Sequence, residues 1–97
     1  MHRDDRITVE PGRPRRGQDV KIDYQGLLVN SGADGIWMHY GYDSWKQVKT
    51  IPMTRQFDGS FTCSVRAEAM RQINFCFKDS AANWDNNNGM NWTIEVC

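Results

Sequence analysis

The chain has 97 residues, and its twelve Lys and Arg balance its twelve Asp and Glu, so it carries no net charge at neutral pH. That length holds one hydrophobic core, and the balance excludes a global field that would gather nucleic acid or anionic lipid. At 39% hydrophobic and 25% charged residues it reads as a globular domain rather than a disordered chain. It has no apolar run of the ~20 residues that a membrane span needs.

Locally the charge is uneven. Arg3, Arg6, Arg13, Arg15 and Arg16 put five of the twelve basic residues into the first sixteen positions. Residues 1–18 are therefore read as a basic, solvated leader that includes the first strand, and residues 19–97 as the remainder of a single domain. That first strand, Ile7 to Glu10, stops at Pro11-Gly12. From Asp19 to Gln25, Val20, Ile22 and Tyr24 alternate with Lys21, Asp23 and Gln25, the period of a half-buried strand. Residues 26–35 carry turn formers and read as a loop. The next strand, Ile36 to Tyr40, sets Ile36, Met38 and Tyr40 on one face, with Trp37 and His39 on the other. A strand near Val48 to Met53 contains Pro52, which lacks an N–H and belongs on an edge or at a bulge. Asp58-Gly59 marks a hairpin, after which Phe61, Cys63 and Val65 share a face. Ala67 to Arg71 suits one helical turn. Ile73, Phe75 and Phe77 then point inward, Ser80 to Met90 form a polar loop, and Trp92, Ile94 and Val96 close the chain on one phase. About seven short strands at ten-residue spacing predict an all-β fold, an antiparallel β-sandwich of immunoglobulin-like kind.

Catalysis finds little support. The sequence holds no Gly-rich phosphate loop, nucleophile elbow or HExxH, and its two histidines are His2 in the leader and His39. A domain this small has little room for a cleft that distorts a sugar and excludes water. No enzyme activity, cofactor or metal is expected. Asp85-Asn86-Asn87-Asn88-Gly89 resembles a calcium loop only superficially, because its Gly and the following Glu95 stand one place short of the EF-hand pattern. Cys63, Cys76 and Cys97 are an odd set without metal-ligand spacing. Cys63 and Cys76 fall on opposite phases, and all three read as reduced thiols.

The aromatics are more informative. Trp84 lies in Ala82-Asn83-Trp84-Asp85-Asn86 and Trp45 in Asp43-Ser44-Trp45-Lys46, polar surroundings unlike those of Trp92. An indole left in water forgoes ~2–3 kcal/mol of burial unless a partner covers it. Two roles are open to these residues: display to a ligand, or plugs folded back over the ends of the sandwich. Displayed indoles suit pyranose rings, whose C–H faces stack on them while the hydroxyls ask for Asn, Asp or His. Trp84 beside Asn86, Asn87 and Asn88, and Trp45 near Asp43 and His39, offer that pairing. Single-stranded nucleic acid would need a basic groove among the aromatics, whereas the charges around Trp84 are Lys78, Asp79 and Asp85.

These segments carry a family resemblance. Gly26-Leu27-Leu28, Ser31-Gly32-Ala33-Asp34, Met38-His39-Tyr40-Gly41-Tyr42, Trp45, Ile51-Pro52-Met53, Asn74-Phe75-Cys76-Phe77-Lys78-Asp79 and the run from Trp84 to Trp92 resemble the starch-binding modules of families 25 and 53. The likeness extends from about Asp19 to Val96. Its most specific pieces are His-Tyr-Gly-Tyr leading to a Trp, and Trp-Asp-Asn-Asn-Asn-Gly. It implies a β-sandwich that binds α-1,4-glucans (starch, glycogen, maltooligosaccharides) without catalysis. Its platform would be His39, Trp45 and Trp84, with an Asn among Asn86, Asn87 and Asn88 donating to sugar hydroxyls. Asp43 and Trp37 are further candidates, Trp37 either extending the platform or covering a neighbouring strand. Such modules ride on amylases or other glucan-active enzymes. No signal-peptide pattern follows Met1, so the chain reads as cytoplasmic as it stands, or extracellular if excised from a secreted amylase-type protein. The sequence departs from the family at Ser80-Ala81-Ala82, which replaces a Gly-containing turn. A protein–protein interaction domain of the same fold, using the exposed Trp residues, is the alternative.

Overall fold

Alternation of apolar and polar residues gives strands, and the computed structural model arranges them as two antiparallel sheets packed face to face. It describes residues 2–3, for which the backbone alone is considered, 6–87 and 89–97. The strands are β1 (His2–Arg3), β2 (Ile7–Glu10), β3 (Asp19–Tyr24), β4 (Ile36–Tyr42), β5 (Lys46–Pro52), β6 (Thr54–Arg55), β7 (Phe61–Arg66), β8 (Gln72–Asp79), β9 (Trp84–Asp85) and β10 (Trp92–Glu95). The first sheet runs β1-β2-β3-β7-β6. The second runs β10-β8-β4-β5, with β9 also paired to β8. The expected all-β sandwich is therefore observed, and two-residue pairings raise the strand count above seven.

The inward phases form one core. Ile7, Val9, Val20, Ile22, Tyr24, Phe61 and Val65 of the first sheet meet Ile36, Met38, Tyr40, Ile73, Phe75, Phe77, Trp92 and Ile94 of the second. Trp92 stacks on Phe75, with ring centroids 6.1 Å apart, and Arg6 caps it at 4.9 Å. Pro52 lies on β5, the edge of its sheet, where a missing N–H costs no ladder bond.

Three local expectations are corrected. Within the segment read as a loop, Leu27–Asn30 form a short helix, α1. The Tyr24 hydroxyl accepts the Leu28 N–H and donates to the buried Asp85 carboxylate at 2.6 Å. Burial and that carboxylate push the Tyr24 pKa upward. Residues 67–71 form no helical turn. Ala67 and Ala69 are buried, and the Ala67 N–H bonds the Gln18 carbonyl. Trp84 and Asp85, placed in a polar loop by sequence, extend the β8 edge beyond β10, in register with Lys78 and Phe77. The leader is also held more closely than a solvated arm. Pro14 is buried, and Cys97 and Pro14–Arg16 exchange backbone hydrogen bonds.

Candidate functional site

One strand breaks the alternation rule in a useful way. On β8 the residues from Ile73 to Phe77 are all buried, although Asn74 and Cys76 belong to the outward phase. The outer face of the second sheet must therefore be covered, and what covers it is aromatic.

The cover is built in rows set by register. Pro52, Trp37, Lys78 and Trp84 align across β5, β4, β8 and β9, and Thr50, His39 and Cys76 align in the next row. The ring centroid of His39 lies 5.9 Å from that of Trp45 at 27°, and 5.4 Å from that of Trp84 at 83°. His39 thus occupies the middle of a Trp45–His39–Trp84 cluster. Its Nδ1 is 2.7 Å from the Thr50 hydroxyl, a contact that orients the ring. Trp84 remains 47% exposed. Lys78 sets its ammonium over both Trp37, at 5.8 Å, and Trp84, at 5.9 Å, within cation–π range. Trp37 thus joins the face through Lys78. Cys76, in register with His39, is buried, and burial pushes its thiol pKa up to about 11.

Trp45 reaches this face because the β4–β5 turn folds back over the sheet. Asp43, Ser44 and Trp45 have φ of 47°, 70° and 66°, a left-handed conformation that costs L residues energy and persists only where the surroundings enforce it. Two side chains enforce it here. The Asn74 Oδ1 accepts the Ser44 N–H at 2.9 Å and the Trp45 N–H at 3.3 Å. The Asp43 carboxylate accepts the N–H groups of Met70, Arg71 and Gln72 at 2.7–3.2 Å. Those bonds, led by the one from Met70, hold its pKa below the usual carboxylate value. Gly41 is required beneath the turn, because a Cβ there would stand 2.8 Å from the Trp45 Cα.

The Trp84 loop is pinned at both ends. The buried Asp79 carboxylate accepts the N–H groups of Ala81 and Asn83, each at 2.9 Å. Farther on, the Asn87 side chain accepts from Arg6 and donates to the Asn91 carbonyl. Asn86 is exposed, and its Oδ1 accepts the Gly89 N–H at 2.9 Å. Asn88 lies outside the described residues.

Of the sequence candidates, then, His39, Trp45 and Trp84 come together, Trp37 adjoins them, and Asn86 stands in the loop beside Trp84. The Asp43 carboxylate and the Asn87 amide are engaged in shaping their own loops. Sequence reasoning passed over Thr50, Asn74 and Lys78. All three stand on the phase of His39 or pair with it, and Gly41 within a strand signals a close backbone approach.

Comparison with known proteins bears on this face. The model of a family described as starch/carbohydrate-binding module (family 53) matches residues 20–75, which include His39 and Trp45. An alpha-amylase of Clostridium acetobutylicum is 33% identical over 95 residues, covering 95% of this chain and 12% of that protein. The chain thus spans about an eighth of the length of that curated relative. No solved structure matches it.

Proposed function

Because the chain belongs to family 53 of the starch/carbohydrate-binding modules, we propose that it binds α-1,4-glucans on the Trp84–His39–Trp45 face and performs no chemistry itself. The single observation that carries this reading is the position of His39 between the two indoles. Aromatic faces supply stacking area for sugar C–H groups. The imidazole, oriented by Thr50, supplies a hydrogen bond to a hydroxyl at the centre of the same surface. Indoles meeting the imidazole at 27° and 83° make a bent surface, which suits the curved path of an α-1,4-glucan better than a flat chain.

Among the described residues of its loop, Asn86 is the polar partner best placed beside Trp84, because it is exposed while Asn87 is tied to Arg6 and to Asn91. Trp37 and Lys78 flank the platform, and Asp43 serves it indirectly by holding its turn. The relative that shares this segment is an alpha-amylase, and attachment to a glucan-active enzyme, which the module would hold against its polymeric substrate, follows from that pairing.

Native electrophoresis through starch-containing gels tests the reading. The parent should be retarded by starch but not by cellulose. Trp45→Ala and Trp84→Ala should each weaken binding about tenfold or more, the equivalent of losing ~1.4 kcal/mol of stacking. Mobility of both variants equal to that of the parent overturns the proposal. Self-association without starch retardation would assign the face to a protein partner instead.

A further inference from the structure

The outer face does not end at Trp45. A groove of about 440 Å³ opens beside its turn, lined by Asp43, Ser44, Lys46, Met70, Arg71 and Gln72, a volume within the range of small-molecule sites. Its position follows from the register. Gln72, Asn74, Cys76 and Lys78 share one phase of β8, and same-face residues on a strand stand about 7 Å apart. Trp84 pairs with Lys78, His39 pairs with Cys76, and the Trp45 turn rests on Asn74. Gln72 is the next step in the same direction.

We propose that this groove is an additional glucan subsite, receiving the glycosyl units that run past Trp45. The inference rests on the platform reading and extends it. The lining chemistry is that of a neutral polyol site. Lys46 and Arg71 donate hydrogen bonds, the Ser44 hydroxyl and Gln72 amide can both donate and accept, and Met70, 66% exposed, offers apolar contact to a sugar face. Asp43 lines the groove together with the two cations, and its negative charge offsets part of their attraction for an anion. Three backbone N–H groups take most of the carboxylate's accepting capacity, which disfavours a cation. A chain bound on the platform delivers its next units here at high effective concentration, so modest contacts suffice.

Calorimetric titration with maltotriose and maltoheptaose tests the subsite through the ratio of their affinities in each protein. For a platform that holds three glucose units, counting binding registers alone favours the heptasaccharide roughly fivefold. The parent should exceed that by about three- to tenfold for each additional hydrogen bond gained. In Lys46→Ala, Arg71→Ala and the double variant the ratio should fall back toward the statistical value. Both side chains are exposed, and thermal unfolding will verify that the variants are folded. A parent ratio no larger than the statistical value, or a double variant that retains the parent's ratio, overturns the subsite while leaving the platform intact. Displacement of maltoheptaose by excess inorganic phosphate would make the groove an anion site and also overturn it. Failure of the parent to bind either sugar would instead overturn the platform reading.

Discussion

At the scale of single residues, the site depends on side chains whose hydrogen bonds go to the backbone. Asp43 stood among the sequence candidates as a polar partner for sugar, yet its carboxylate bonds three consecutive backbone N–H groups. Spacing in a sequence gives proximity, but it does not reveal which partner claims a carboxylate. The depressed pKa of Asp43 has a definite consequence. Between its folded value and the ordinary one the unfolded chain binds more protons, so the stability Asp43 contributes is complete above the ordinary carboxylate value and is lost as pH falls through the folded one. Urea unfolding of the parent and of Asp43→Asn, compared between about pH 7 and pH 2, should show a parent advantage that shrinks with acidification. An advantage independent of pH would contradict this. Ala82 presents the opposite case. It holds φ of 62°, a left-handed conformation that costs an L residue energy, while the chain still delivers Trp84 to β8. Ala82→Gly should raise stability by about 1 kcal/mol, read from the denaturation midpoint.

At the scale of elements, the larger strands were legible because each has a clean inward phase, and the Pro52 edge was legible because proline cannot donate to a ladder. What escaped was short or covered by neighbours. The two-residue strand β9 has no period of its own to detect and exists through pairing with Lys78 and Phe77. α1 has four residues, too few for a helical stripe, and is held by the Tyr24 hydroxyl. The folded-back turn at 43–45 is likewise invisible to alternation, since it is held by bonds to residues nearly thirty places away, those of the buried Asn74 among them. Asn74 thus gives the sharpest test at this scale. Asn74→Ala removes the acceptor for two N–H groups in a strained turn and should cost about 1–3 kcal/mol of stability. It should also weaken glucan binding nearly as much as Trp45→Ala does, although Trp45 itself is still present. Unchanged binding in a folded Asn74→Ala protein would show that the turn keeps its shape without that acceptor.

At the scale of the whole molecule, the two sheets divide their labour. The first sheet contributes Tyr24 and the inner wall of the core, while the second turns its inner face to that core and its outer face to a row of aromatic side chains. The fourth tryptophan makes this division measurable, because Trp92 belongs to the inner face and is buried against Phe75 and Phe77, whereas Trp45 and Trp84 belong to the outer. The chain therefore carries its own internal control. Titration with maltoheptaose, followed through the indole N–H resonances of all four tryptophans in a ¹H–¹⁵N spectrum, tests the central claim directly. Trp45 and Trp84 should shift progressively and saturate together while Trp92 stays nearly still. Resonances that do not respond to the sugar, or a response led by Trp92 with Trp45 and Trp84 unmoved, would contradict the assignment of the outer face as the glucan-binding surface.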